Sequence, residues 1–211
     1  MYAVLVIAGL TVVLSAFFIL TDIQPTWMYF NAYAVRNCRQ WHRLITYAFV
    51  HVGWKHLIFN MYWVLGLGMC LTDRADYEGN IGHELFGGEN GTLNFVIYYI
   101  GAVIFSTLGD LLIHKDNPYF NAVGASGVAA ALIFTLVLLD PTAPVPIIFF
   151  SMKAWICAIF YLLYCILMAI AQVDNIGHTS HLCGAIYGFV VPCIYRPHYF
   201  VDFFAKIFGL N

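Results

Sequence analysis

The stretch GASGVAAALIFTLVLLD, residues 124–140, places Ser126 at the start of an apolar segment that ends at Asp140. The stretch HLCGAIYGFVVPCIY, residues 181–195, likewise places His181 at the start of an apolar segment. Polar side chains at helix ends inside a bilayer cost free energy, and where they occur they usually have a functional role. A serine hydroxyl and an imidazole can act as nucleophile and base, so the two stretches predict catalysis within a membrane.

The composition places the chain in a bilayer. Of its 211 residues, 62% are hydrophobic and 9% are charged, whereas soluble domains carry about 25% charged residues. Water would not solvate this much apolar surface, so lipid is the expected solvent. The net charge is −2 without a basic block, which excludes a nucleic-acid-binding surface. We expect residues 1–211 to form a single domain.

The predicted fold is an all-α membrane protein, because the apolar runs are too long and too uniform for barrel strands. Six segments are predicted, at about residues 3–20, 55–71, 93–113, 126–139, 152–171 and 181–195. A long polar and aromatic loop, about residues 21–43, follows the first segment and suits the membrane interface. Pro144 and Pro146 predict irregular backbone before the fifth segment, and residues 199–208 are predicted to lie at the interface.

Segments two, four and six run in the same direction and begin at matched depths. Their far ends lie ~20–22 Å from His56, Ser126 and His181, at ~1.5 Å per residue. The hydrocarbon core is ~30 Å thick, so each helix begins ~8–10 Å below one surface. We therefore expect these three side chains to meet at one depth, in a cavity open to that side.

The polar groups at this depth have complementary chemistry. Ser126 needs a base to become a nucleophile, and His181 titrates near neutrality. Free backbone N–H groups at the start of segment four, together with His56 and Asn60 on one helical face, are candidate oxyanion donors. Gly124 leaves room for a substrate backbone. Each residue alone is more often a packing residue, but their joint occurrence at matched helix starts favours catalysis.

The sixth segment also carries a small-residue face, formed by Gly184 and Gly188 four residues apart. This face permits close packing on a neighbouring helix. If the neighbour is segment four, close packing brings His181 within reach of Ser126.

The remaining polar residues give weaker predictions. His178 lies three residues before His181, but no carboxylate or cysteine completes a convincing ligand set, so neither a metal nor a cofactor is predicted. The six cysteines are interpreted as small buried hydrophobic residues. Asp110 and Lys153 lie near segment ends and are expected to reach the interface. His51 is expected to support the start of segment two.

Together these residues resemble the rhomboid family of intramembrane serine proteases, over about residues 41–195. The motifs that carry the resemblance are Trp41-His42-Arg43, His56-Leu57-Ile58-Phe59-Asn60, Gly124-Ala125-Ser126-Gly127, and His181 followed by Gly184 and Gly188. The resemblance implies a six-helix bundle with a long membrane-associated first loop. It also implies that the fifth segment gates lateral access of substrates.

For the chemistry, the resemblance implies a Ser126–His181 dyad with no acidic third member. It implies an oxyanion site formed by His56, Asn60 and the Ser126 backbone N–H. Substrates would be transmembrane helices of other proteins, cleaved near the outer membrane face. Lys and Arg are divided five against four between the two sides, so the charge does not set the orientation. A bacterial inner membrane, with cytoplasmic termini, is taken from the resemblance.

Two positions depart from the family pattern. His42 separates Trp41 from Arg43, where many members have Trp and Arg adjacent. Ala130, one turn after the serine, stands where well-known bacterial members have a tyrosine that stacks on the catalytic imidazole. We therefore expect a different neighbouring aromatic side chain to hold His181.

Two other functions are alternatives. A catalytically inactive rhomboid-like scaffold would bind transmembrane clients without cleaving them. Inactive relatives typically lack the serine or the histidine, and both are present here. A small transporter would use intramembrane histidines as a proton path and would carry inverted repeats, which the sequence does not show.

Overall fold

The computed structural model describes residues 2–72, 82–147, 149–171 and 176–210, and most of these residues are helical. The helices are α1 (Tyr2–Thr21), α2 (Ala32–Cys38), α3 (Arg43–Thr46), α4 (Trp54–Thr72), α5 (His83–Phe86), α6 (Gly91–Ser106), α7 (Leu108–Ile113), α8 (Ser126–Leu139), α9 (Ala154–Ala171), α10 (His178–Tyr195) and α11 (His198–Phe208). A 3-10 turn, Tyr47–Phe49, follows α3.

Within the described ranges, three helical stretches are long and apolar enough to cross a membrane: Tyr2–Thr21, Gly91–Ile113 and Ala154–Ala171. The second stretch comprises α6 and α7, which meet at Thr107. Large apolar side chains cover the outer faces of α1 and α9, as Leu20 and Ile170 illustrate. Such extensive exposed apolar surface requires lipid around the molecule.

The centre of the bundle is α8, in which eleven of the fourteen residues are buried. It packs against α4, α6, α9, α10 and α11. A helix that is apolar on every side is stable only when other helices or lipid surround it. The predicted boundaries of segment four are confirmed, because the glycine-rich turn before Ser126 and Asp140-Pro141 after Leu139 bound the helix on both sides.

The small-residue face of α10 packs on α8, as the sequence predicted. A methyl group on Gly184 would overlap the Gly127 carbonyl, and one on Gly188 would overlap the Ala131 carbonyl. The two backbones therefore touch, which only small residues permit. The Thr135 hydroxyl of α8 also donates to the Gly188 carbonyl at 2.8 Å, which fastens the contact along its length.

Two predictions about the chain between the helices were wrong. The prolines before segment five do not keep the chain irregular, because β1 (Pro144–Ile147) pairs antiparallel with β2 (Phe150–Lys153). A two-stranded ribbon consists only of edge strands, so a proline can lie with its missing N–H on the unpaired side. In addition, α10 begins at His178 rather than at His181. The predicted polar loop before it included residues 172–175, which lie outside the described residues.

The early start of α10 has a physical cause. Ser180 does not compete with the helical backbone, because its hydroxyl donates to Asp110 Oδ2 at 2.9 Å. Asp110 is therefore not at the interface as predicted, since it is only 2% exposed. The break at Thr107 begins α7, which brings the Asp110 side chain beside the first turn of α10.

Candidate active site

Ser126 is the first residue of α8 and is half-buried. Gly124, two residues earlier, has φ +107, a backbone conformation that glycine adopts without strain. Its N–H donates to the Tyr47 carbonyl at 2.9 Å, and the Ala125 N–H donates to His51 Nε2 at 3.4 Å. The turn that presents Ser126 is therefore held by two residues that come just before α4.

His51 connects the turn before Ser126 to α1. Its Nε2 accepts from the Ala125 N–H, so the proton of the neutral ring lies on Nδ1. Nδ1 is 2.9 Å from Ser15 Oγ, and the Ser15 hydroxyl donates to the Phe49 carbonyl at 2.9 Å. Burial, with a smaller effect of His56, lowers the pKa of His51 to about 3, so the ring stays neutral. This chain of bonds links α1 to the Ser126 turn.

The predicted oxyanion donors lie against the same turn. A methyl group on Gly124 would lie 2.6 Å from His56 Cε1, 2.8 Å from His56 Nε2 and 3.5 Å from Asn60 Nδ2. Asn60 is buried, and its amide donates to the His56 carbonyl at 3.0 Å, which fixes the direction of the side chain. His56 Nδ1 is buried without a hydrogen-bond partner. The structure thus brings His56, Asn60 and Gly124 together two residues before Ser126.

His181 lies in the first turn of α10, close to where α10 packs on the start of α8. A methyl group on Gly127 would lie 3.3 Å from the Ser180 carbonyl, so the residues next to Ser126 and His181 are in contact. The Ser126 hydroxyl and the His181 ring therefore lie at the same end of the α8–α10 pair. A hydrogen bond between a nucleophile and its base is often long without substrate and shortens in the reacting complex.

An aromatic side chain of α9 lies near the His181 ring. The Tyr161 ring is nearly parallel to the His181 ring, at 22° with centroids 6.5 Å apart. Phe134 of α8 also packs near Tyr161, with ring centroids 5.8 Å apart. Tyr161 is therefore a candidate for the aromatic residue expected to hold His181, and its role stays a prediction. No sequence signal pointed to Tyr161, because it lies on a different helix from the serine.

The structure also corrects the prediction about cysteines near His178. Cys165 Sγ of α9 and one ring nitrogen each of His178 and His181 all lie within 4.8 Å of one another. A cysteine therefore does complete a three-residue set. Sequence reasoning missed it because Cys165 lies on the preceding helix, thirteen residues before His178.

Arg43 organises the first loop near the start of α4. Its guanidinium donates to the Thr26 carbonyl at 2.6 Å and to the Tyr29 carbonyl at 2.7 Å. His42 Nε2 lies 3.0 Å from the Trp27 carbonyl. The Trp41-His42-Arg43 motif thus fastens the loop through its backbone oxygens, with His42 adding a contact of its own.

A family model for the rhomboid domain matches residues 38–198. The chain is similar to RHOMBOID-like protein 12, mitochondrial, of Arabidopsis thaliana, with 27% identity over 145 residues, 68% of this chain and 43% of that protein. It is also similar to Rhomboid-like protease 3 of Toxoplasma gondii, with 25% identity over 168 residues, 77% of this chain and 54% of that protein. The chain spans about half the length of these relatives. The matched range holds His56, Asn60, Gly124, Ser126 and His181, and the chain belongs to the rhomboid family of integral membrane proteins.

Proposed function

We propose that this chain is an intramembrane serine endopeptidase with a Ser126–His181 dyad. The observation that carries the proposal is the Gly124 turn, which packs directly against His56 and Asn60 and leads into Ser126. Hydrogen-bond donors beside the first N–H groups of a helix form a site suited to a developing oxyanion. Close packing of α8 on α10 supports the assignment of His181 as the base.

In this mechanism, Ser126 Oγ attacks the carbonyl carbon of the scissile peptide bond while His181 takes the hydroxyl proton. The negative oxygen of the tetrahedral intermediate is stabilised by the Ser126 N–H, His56 and Asn60. His181 then gives its proton to the departing amine, which leaves an ester on Ser126. Water, deprotonated by His181, hydrolyses this ester and restores the serine.

The substrates that fit this site are transmembrane segments of other membrane proteins. The proposed architecture has six spanning elements, namely α1, α4, α6 with α7, α8, α9 and α10. Helix α9 is the proposed lateral gate, and its few buried positions support this role, since weakly packed elements open most readily. The proposed location is a bacterial inner membrane, with both termini in the cytoplasm.

An inactive scaffold that binds transmembrane clients is the second candidate function. The observation in its favour is the large exposed apolar surface of α1 and α9, which could bind transmembrane clients without cleaving them. The presence of both reacting residues, and of the donors around Gly124, favours the protease.

A cleavage assay in lipid vesicles tests the proposal. The purified chain is mixed with a labelled model transmembrane segment that has small residues near one end, and products are identified by mass spectrometry. We expect cleavage by the wild type and by Ser151→Ala and His198→Ala, whose side chains are exposed. We expect none by Ser126→Ala or His181→Ala. Cleavage that persists in Ser126→Ala would contradict the proposal.

A further inference from the structure

We propose that Cys165, His178 and His181 form an inhibitory binding site for a thiophilic divalent metal ion, with Zn²⁺ as the ion of choice. The predicted inhibition rests on the proposed protease function, whereas the binding does not. The carrying observation is that the three side chains, from two helices, bring their ligand atoms within 4.8 Å of one another.

The surroundings of these residues suit a metal ion. Cys165 is fully buried, His178 is 3% exposed, and His181 is half-buried, so an ion would enter past His181. His178 and His181 are three residues apart on α10, and their rings meet edge-on with centroids 5.9 Å apart. This spacing puts both imidazoles on one helical face, opposite the thiol of α9.

The ligand types determine which ions the site selects. One thiolate and two imidazoles favour zinc, cobalt and copper over calcium and magnesium, which prefer oxygen ligands. Zinc bonds are ~2.3 Å to sulfur and ~2.0–2.1 Å to nitrogen, so the ligand atoms of a tetrahedral site lie ~3.3–3.7 Å apart. The three atoms therefore need to close by about 1 Å. On binding, Cys165 loses its thiol proton to water, both imidazoles bind through a lone pair, and water completes the fourth position.

A bound ion would inhibit in two ways. The lone pair of His181 would be occupied by the metal and would no longer accept the Ser126 proton. In addition, a metal ion held by Cys165 and by both histidines would link α9 to α10. Helix α9 has few other buried residues to hold it in place. The site thus joins the proposed gate and the proposed base in one reversible contact.

Direct metal binding is the first test, because it needs no catalytic activity. Untagged protein in detergent is equilibrated with Zn²⁺, and bound metal is measured by plasma mass spectrometry. Co²⁺ is used in parallel, because thiolate ligation gives it an intense near-ultraviolet absorption band. The variants are Cys165→Ser and His178→Ala, with Cys157→Ser as the matched control two turns earlier on α9.

We expect one ion per chain in the wild type and in Cys157→Ser, with the cobalt–thiolate band. Loss of an outer-shell partner of a metal site already weakens binding 10–100-fold. Loss of a ligand in Cys165→Ser or His178→Ala should therefore weaken it at least ~100-fold. Wild-type binding that is absent, or that is unchanged in Cys165→Ser, overturns the proposal.

Cleavage measured with added Zn²⁺ is the second test. At a tenfold excess of free Zn²⁺ over its dissociation constant, wild-type cleavage should fall about tenfold by simple occupancy. The cleavage rate of Cys165→Ser, relative to its own rate without zinc, should hardly change at that concentration. Equal inhibition of both proteins overturns the inhibitory role. If the chain cleaves no substrate at all, the proposed protease function fails, and the binding measurement alone decides the metal site.

Discussion

At the scale of single residues, the Gly124 turn has the strictest requirements. Its positive φ strains any side chain, and the space beside its α-carbon is filled by His56 and Asn60. A change here therefore alters both the backbone that leads to Ser126 and the two side chains proposed to stabilise the oxyanion.

Gly124→Ala should lower kcat by about 10²–10³, the cost of losing one oxyanion donor, because the added methyl group displaces His56. The comparison variant is Gly66→Ala on α4, where a methyl group meets no atom within 4 Å. Cleavage rates, with circular dichroism to verify folding, check the prediction. Full activity in Gly124→Ala would mean that the turn does not support catalysis.

His51 should make stability depend on pH. Its pKa is about 3 in the folded protein, below the ~6.5 of an exposed histidine. The stabilisation is therefore complete above pH 6.5 and is lost as the pH falls from 6.5 towards 3. We expect the wild-type unfolding temperature to decline over this range and to decline less steeply in His51→Gln. Identical pH slopes in the two proteins would refute this origin of acid sensitivity.

The sequence alone predicted the residues whose position is itself a signal, such as Ser126 and His181 at the starts of apolar segments. It did not predict Cys165, Tyr161 or Asp110. Each of these side chains contacts a residue on another helix. A single cysteine, tyrosine or aspartate in an apolar segment does not indicate which distant residue it will contact. Their roles depend on helix rotation and packing, which a single sequence does not specify.

At the scale of elements, the contact of α8 with α10 determines how Ser126 and His181 face each other. Because backbones touch at Gly184 and Gly188, the separation of the two helices depends on the absence of side chains there.

Gly188→Ala should destabilise the protein by about 1–3 kcal/mol, because the methyl group overlaps the Ala131 carbonyl and forces the helices apart. Gly9→Ala on α1, where the space is open, is the control and should be neutral. Reversible unfolding in mixed detergent micelles measures the difference. Equal stability of the two variants would show that the helices are not held at this contact.

Asp110→Ala should also destabilise the protein, by about 1–3 kcal/mol, the usual cost of leaving a buried polar group without its hydrogen-bond partner. The change leaves the buried Ser180 hydroxyl without its acceptor and loosens the start of α10. Asp116→Ala, at an exposed position in the following loop, serves as the reference. The same unfolding assay applies, and a neutral Asp110→Ala would exclude an anchoring role.

Element boundaries were predictable where local chemistry marks them. The end of α8 was predicted from Asp140-Pro141. The start of α10 was not predicted, because Thr179 and Ser180 are typical of loops. In the structure, Asp110 accepts the hydrogen bond of the Ser180 hydroxyl, which allows Ser180 to lie in the helix. The hairpin from Pro144 was missed because a two-stranded ribbon tolerates proline, which ordinary strand patterns exclude.

At the scale of the whole molecule, the fold surrounds one apolar helix, α8, and leaves the outer faces of α1 and α9 to lipid. Composition alone predicted the lipid environment, since so few charged residues cannot cover the surface of a soluble domain; it did not predict which helix is central. A polar connection from Ser15 through His51 to Ala125 then ties the outer helix α1 to the turn of the proposed nucleophile.

The central claim is that His181 activates Ser126, and labelling with a fluorescent fluorophosphonate in lipid vesicles tests it most directly. The wild type, Ser126→Ala, His181→Ala and the exposed-serine control Ser151→Ala are compared, and the modified residue is identified by mass spectrometry. We predict labelling of the wild type and of Ser151→Ala at Ser126 alone, with none in the other two variants. Equal labelling of His181→Ala, or modification at another serine, would contradict the account.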